Sequence, residues 1–389
     1  MRTAKTLALA LALVFAPLAA SAELMIIGLD DKIAFDKGKQ VRRPPGKDAV
    51  AIVDISSPEA PKIVATLPLM NTIIGPPTNL AITPDQKLAI VANSVDWQKD
   101  GESWKDLPDN KLYVIDLTTN PPAQIATVEV GKQPSGLSIN KAGNLALIAN
   151  RADNTISVLS INGKEVKLID TVQMGEVVAH VAFTPDGKRA LVAKFPGHKI
   201  GVLNVDGQKV TDSKYNMNVG LWPYNVDVTP NGAIAIVADN GFSGGSDGNV
   251  DTVSVIDMEA TPPRVIDRVV VGDAPEGLAI SPKGNLAAVV LLRGSNTPWN
   301  SHFYNRNGSV VILKIDGKKV TKLDELELRG LPEGVVWSAD GKYLYVGNFM
   351  DSDVSILKVE ETKKGISVVN TGKNFKLPGQ PASMRGRNQ

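Results

Sequence analysis

The 389-residue chain carries 42 basic against 41 acidic residues and no cysteine. That near-balance lacks the basic excess of proteins that bind nucleic-acid phosphates, so no nucleic-acid partner is expected. The missing thiol excludes disulfides, cysteine nucleophiles, a lipid anchor on a processed cysteine and covalent haem.

In chain order, the first element is "MRTAKTLALALALVFAPLAASA". Arg2 and Lys5 make a positive start, an apolar run follows, and Ala20-Ser21-Ala22 offers small residues for cleavage, the three parts of a secretory leader. Residues 1–22 are therefore expected to be removed, leaving one domain over residues 23–389. Without Arg2 and Lys5 it has 40 basic and 41 acidic residues, a formal charge of −1. No later stretch approaches the roughly 20 apolar residues that span a bilayer, so the mature chain is expected to have no membrane span and to be periplasmic or secreted. With 43% hydrophobic residues it has the material for a core that stands without cross-links.

Residues 24–66 then give three short apolar runs, "LMIIGL", "AVAIVDI" and "KIVATL". Six fuller copies follow, beginning near Asn79, Gly136, His180, Asn225, Gly277 and Gly334. Each opens as in "AHVAFTPDGKRALVAKF": an alternating strand, a tight Pro-Asp-Gly-like turn, and a second β-rich strand. The alternation turns one face inward, and the turn residues supply the backbone angles of a hairpin. A third strand ("IGVLNV", "VVILKI") and a shorter fourth ("VIDRVVVGD") complete the unit. Four antiparallel strands at a period of about fifty residues mark a propeller blade. The opening runs match strands two to four of a seventh unit, and "PASMRG" at 381–386 supplies its missing first strand. The predicted fold is all-β, a seven-bladed propeller closed by one blade shared between the two termini.

"YLYVGN" at 343–348, with "LAIVAN" and "LALIAN", resembles the YVTN repeat. The resemblance covers essentially the whole mature chain and implies a seven-bladed propeller. Relatives of this kind include bacterial lactonases, the propeller subunits of quinoprotein amine dehydrogenases, surface-layer proteins and periplasmic binding proteins, so the resemblance leaves the function open.

The links between second and third strands differ in length. Residues 31–49, 94–111, 240–252 and 294–309 form long ones, whereas 151–155, 195–199 and 349–353 are five-residue links. The long links fall in two adjacent pairs, which predicts two walls facing each other across the channel mouth with a cleft between. Trp97 and Trp104 lie in one wall; Trp299, His302, Phe303 and Tyr304 lie in the other. Exposed aromatics of this kind are unfavourable unless they pack on one another or on a ligand. Neutral insertion at blade tips is the alternative, but the gathered aromatics favour reading 294–309 as one wall of a binding cleft.

Aligned by repeat, the residues just before the first strands form a channel floor. One ring holds Thr78, Ser135, Ala179, Tyr224, Glu276, Glu333 and Ala382, and the next includes Asn79, His180, Asn225 and Ser383. The second-strand ends add Asp30, Asn93, Asn150, Lys194, Asp239, Arg293 and Asn348. Such groups could hold a small polar molecule or a divalent cation, calcium or magnesium. Asn at strand ends also serves to satisfy backbone groups. Glu276 and Glu333 share one register in adjacent blades, and like charges held close raise one pKa into the range useful for acid–base work. They could equally be solvated in a wet channel. His180 in the same channel is a candidate base or ligand, or a structural histidine.

Other motifs are weak. "GFSGGSDGNVD" (241–251) offers Asp247 and Asp251 but not the full spacing of a calcium loop. "KGKQVRRPPGK" (37–47) is basic and could attract an anion, although neighbouring aspartates offset much of its charge. Three functions remain in view. The first is a binding module for a small polar ligand or a protein partner's loop, the second a lactonase-type hydrolase or isomerase using Glu276, Glu333 or His180, and the third an accessory subunit of a redox enzyme.

Overall fold

Threonine, proline, aspartate and glycine at the blade turns explain why each copy folds back on itself. In "TPDG" the Thr184 hydroxyl donates to Asp186 (2.6 Å) and the Gly187 N–H to the Thr184 carbonyl (2.8 Å). Gly187 adopts φ 68°, a left-handed angle that glycine takes without strain. Ser338, Asp340 and Gly341 repeat the arrangement.

The computed structural model describes residues 22–363 and 365–387. The leader, apart from Ala22, lies outside the described residues. Seven four-stranded antiparallel sheets form the ring, with one additional two-stranded sheet. Blade 1 runs from Leu80–Ile82 through Leu88–Asp100 and Ser103–Asp116 to Ala123–Glu129. Blades 2 to 6 begin at Pro134–Ile139, Val178–Phe183, Pro223–Val228, Pro275–Ile280 and Pro332–Trp337. The seventh, split blade has Pro381–Gly386 as its inner strand, paired antiparallel with Leu24–Leu29 and followed by Ala49–Asp54 and Lys62–Leu67. Among the described residues no helix is long and apolar enough to cross a membrane.

The inner strands are buried on both faces because blades stack against each other. In blade 3 every residue of Val178–Phe183 is buried, whereas the outer Lys209–Asn218 is largely exposed. The apolar clusters sit between blades. Met25, Ile27 and Met384 of the split blade pack on Val336, Tyr345 and Ile356 of blade 6, while Ile26, Val50 and Ile52 pack on Leu80, Ala89 and Val91 of blade 1. Deleting one such buried side chain typically costs about 2–5 kcal/mol.

One irregularity positions the channel residues. In blades 2, 3, 5 and 6 the ladder between first and second strands shifts just after the leading residue, between Pro134 and Leu137, Val178 and Val181, Pro275 and Leu278, and Pro332 and Val335. A bulge frees residues from the ladder and re-aims them. The freed pairs include Ala179-His180, Glu276-Gly277 and Glu333-Gly334.

Two details of the sequence reading change. The strand-two end equivalent to Asn150 is Leu291 in blade 5, paired with Pro275 and Ser309, and Leu29 in the split blade, paired with Pro381 and Ala49. Arg293 and Asp30 thus stand beyond the ring assigned to them. The two walls also meet. Residues 31–49 contain a hairpin, Ile33–Asp36 and Lys39–Arg42, whose tip reaches the 294–309 loop, with the Trp299 N–H donating to the Lys37 carbonyl at 3.2 Å. Residues 94–111 continue the blade 1 strands as a long hairpin beneath it.

Candidate active site

The channel mouth beneath this hairpin opens into a cavity of about 240 Å3, with Glu276, Glu333, Tyr224 and Arg151 in its floor and Phe35, Ile73 and Leu331 among its walls. The bulges in blades 5 and 6 bring the two glutamates together. Both are buried, at 4% and 2% exposure, and each carboxyl lies close enough to the other to shift its pKa. Asn240 Nδ2 donates to Glu276 Oε1 at 3.4 Å. Among the described residues Glu333 Oε2 has no hydrogen-bond partner.

Burial is the main cause that raises the Glu276 carboxyl to about 8, against the lowering effects of the Glu333 hydrogen bond and the Arg151 charge. Glu333 is held well above the carboxylate range by burial and then by the neighbouring Glu276. At neutral pH both carboxyls are therefore mostly protonated, and Glu276 is the one that ionises first as pH rises through about 8. Tyr224 is raised by burial and by Glu276, against the lowering influence of the nearby Arg151. The Arg151 guanidinium lies 5.4 Å from the centre of the Phe195 ring. A permanent cation, a phenol and two buried carboxyls therefore line one small cavity open to the channel mouth.

His180, Asn79, Asn225 and Ser383 form a second buried tier. His180 Nδ1 accepts from the Val226 N–H at 3.2 Å, which places the ring proton on Nε2, an atom with no partner among the described residues. Burial, followed by the Arg385 charge, holds its pKa well below the usual histidine value, so it stays neutral. Asn79 Nδ2 donates to the Ala92 carbonyl at 2.9 Å, Asn225 Nδ2 to that of Leu278 at 3.3 Å, and the Ser383 hydroxyl to Asn71 Oδ1 at 3.4 Å. The strand-two amides knit blades internally. Asn150 Nδ2 bonds Thr155 and Ser157, and Asn348 Nδ2 bonds Asp353 and Ser355, all at 2.9 Å.

The remaining candidates lie away from this cavity. Arg293 turns outward to Glu325 and Glu327, each at 3.8 Å, because its backbone (φ 51°) is already leaving the strand. Trp97 is core rather than cleft surface: it is 7% exposed, packed with Ile33, Val95 and Phe349, with Phe35 and Trp104 beside it. Its indole N–H donates to the Arg43 carbonyl at 2.8 Å. Trp299 is 59% exposed, Tyr304 lines a separate cavity beside it, and exposed His302 stands edge-on to Phe303 at 5.0 Å. Asp247 and Asp251 are joined by Asp273, with one oxygen of each within 4.8 Å of the others. Asp251 is raised to about 6, chiefly by burial.

Arg151 and Asn240 were not apparent from the repeat. Arg151 directly follows the second-strand Asn150 in a five-residue link, where a short loop suggests no function, and a cation next to a channel position is the only sequence signal for it.

The fold and site together define a seven-bladed propeller with an acidic, capped channel mouth. The family model for the seven-bladed lactonase β-propeller matches residues 109–219. No curated protein matches the chain. Among solved structures, a Bacteroides uniformis protein provisionally described as a 6-phosphogluconolactonase superposes with TM-score 0.71 at 15% identity, covering 94% of this chain and 100% of that one. The periplasmic gluconolactonase of Pseudomonas aeruginosa gives 0.67 at 15%, covering 94% and 99%. Hydrazine synthase of Kuenenia stuttgartiensis gives 0.61 at 19%, covering 81% and 90%. The resemblance to lactonase-like propellers therefore holds in sequence over residues 109–219 and in fold over nearly the whole chain.

Proposed function

We propose that the channel mouth binds a small polar molecule and acts on it as a lactonase-type hydrolase, with Glu276 as general base. The observation that carries this reading is the buried pair of Glu276 and Glu333, both with raised carboxyl pKa values, beside Arg151 in one cavity at the channel mouth. A carboxylate poised near neutral pH suits proton abstraction from water. Arg151 and the Tyr224 hydroxyl offer charge and a hydrogen bond to the oxyanion that forms when water adds to a ring ester. Glu333, still protonated, supplies a proton toward the leaving oxygen. The lactonase family match and the lactonase-named structural neighbours support the same reading.

Export to the periplasm or beyond is part of this proposal, supported by the leader-like start. The test is turnover of a panel of five- and six-membered sugar and aliphatic lactones by the parent, Glu276→Gln and Glu333→Gln proteins. Turnover that rises with pH through about 8 and is lost in both variants supports the hydrolase. A folded parent that binds lactones without opening any of them would leave a binding module, the first of the expected functions.

A further inference from the structure

A second cavity, about 250 Å3, opens on the other side of the Ile33–Arg42 hairpin. Lys37, Arg43 and Arg306 line it together with Trp299 and Tyr304, and no Asp or Glu is among its lining residues. Phe35 belongs to both cavities and separates this one from the carboxylates. Arg306 is fixed by two bonds to Asp351, at 2.8 and 3.2 Å. The Lys37 and Arg43 side chains enter no ion pair among the described residues, although Arg43 lies close enough to Asp31 to lower its pKa.

The floor of this cleft is preformed. Gly38, at φ 75°, approaches Thr297 so closely that a Cβ there would lie 1.9 Å from the Thr297 oxygen. With the Trp299 N–H on the Lys37 carbonyl, the backbone under both the cations and the indole is held in place. Gathered cations repel one another, and an indole left in water is unfavourable. One ligand relieves both: a planar ring to cover Trp299 and Tyr304, bearing an anionic group for Lys37 and Arg43. A site that needs no rearrangement loses little ordering entropy when filled.

We propose that this cleft is a second binding site, for a small aromatic anion carrying a carboxylate or a phosphate. It is independent of the acid–base reading of the cavity beneath it. The test is calorimetric titration of the full chain with 4-hydroxybenzoate, phenyl phosphate and, as neutral control, benzamide. At least one anion should bind and benzamide should not, and the tighter of the two anions identifies the acidic group preferred. Affinity should fall at least tenfold in Trp299→Ala and in the Lys37→Ala/Arg43→Ala pair, and should weaken with added salt. Glu333→Gln should bind as the parent does, so failure here is distinct from failure of the hydrolase proposal. Equal binding of benzamide, unchanged affinity in the variants, loss of binding in Glu333→Gln, or no binding of either anion overturns the site.

Discussion

Trp97 of blade 1 donates its indole N–H to the Arg43 carbonyl at the foot of the split-blade hairpin, over 2.8 Å. Lys32 and Arg42 from the same hairpin segment lie 5.8 Å from its ring centre. One tryptophan therefore fastens the cap to its neighbouring blade. Trp97→Ala should lose about 3–5 kcal/mol, the usual cost of removing a buried aromatic. Trp299→Ala, at an exposed position, should stay within about 0.5 kcal/mol of the parent. Denaturant melts of the two variants measure the contrast, and equal losses would mean that both tryptophans are core.

The glutamate pair makes stability depend on pH. Both carboxyls have folded pKa values above their ordinary 4.5, so the folded chain holds protons that the unfolded chain releases. Their stabilising contribution is complete below about 4.5 and is lost as pH rises through about 8. Glutamine mimics the protonated acid. Glu276→Gln and Glu333→Gln should melt close to the parent at pH 4.5 and progressively above it toward pH 8.5. A variant-to-parent gap that does not change with pH would rule out a shared proton.

Lys32 is fully buried, bonded to Asp48 and to the Asn71 carbonyl, with Asp30 at 3.3 Å. Lys32→Met leaves two buried carboxylates without their cation, a change that typically costs about 3–5 kcal/mol. Burial already raises Asp48 to about 6, so its proton stabilises the fold fully below 3.8 and this contribution disappears as pH passes 6. The penalty of Lys32→Met should therefore be larger at pH 8 than at pH 5, as thermal melts at the two values would show.

Removing residues 381–389 takes the inner strand from the split blade and bares the edge of Leu24–Leu29. It also removes Met384, fully buried against blade 6. The truncated chain should lose several kcal/mol, a large share of ordinary domain stability. A melting temperature within a degree or two of the parent would show that the shared blade does not hold the ring.

The ring is legible in the sequence because stacked blades demand apolar inner strands and a repeated turn, and both leave marks at fixed spacing. Glu276 and Glu333 are legible for the same reason, since register alone places them side by side. Register fails at Arg293, where the strand ends two residues earlier than the alignment implies. It also cannot show that Trp97 is covered. "KGKQVRRPPG" has none of the apolar alternation of a buried strand, yet it pairs with residues 33–36 because the cap is a surface hairpin with polar outer positions. Asp273 joins Asp247 and Asp251 from just past the blade's last strand, whose final residue Gly272 pairs with Asp251, a proximity that depends on strand pairing.

The blade shared between the termini sets an order in time. Residues 24–67 are synthesised before blades 1 to 6, and the strand that completes them after all six. Blades 1 to 6 can stack as they emerge, each on its predecessor, while the oldest part of the chain waits with one bare edge. An interrupted copy thus carries a permanent invitation to pair with a foreign strand, and exposed edges of that kind drive misassembly. The closing strand acts as a clasp that can be fastened only once blades 1 to 6 have been made, so synthesis through all six becomes a condition of a safe surface.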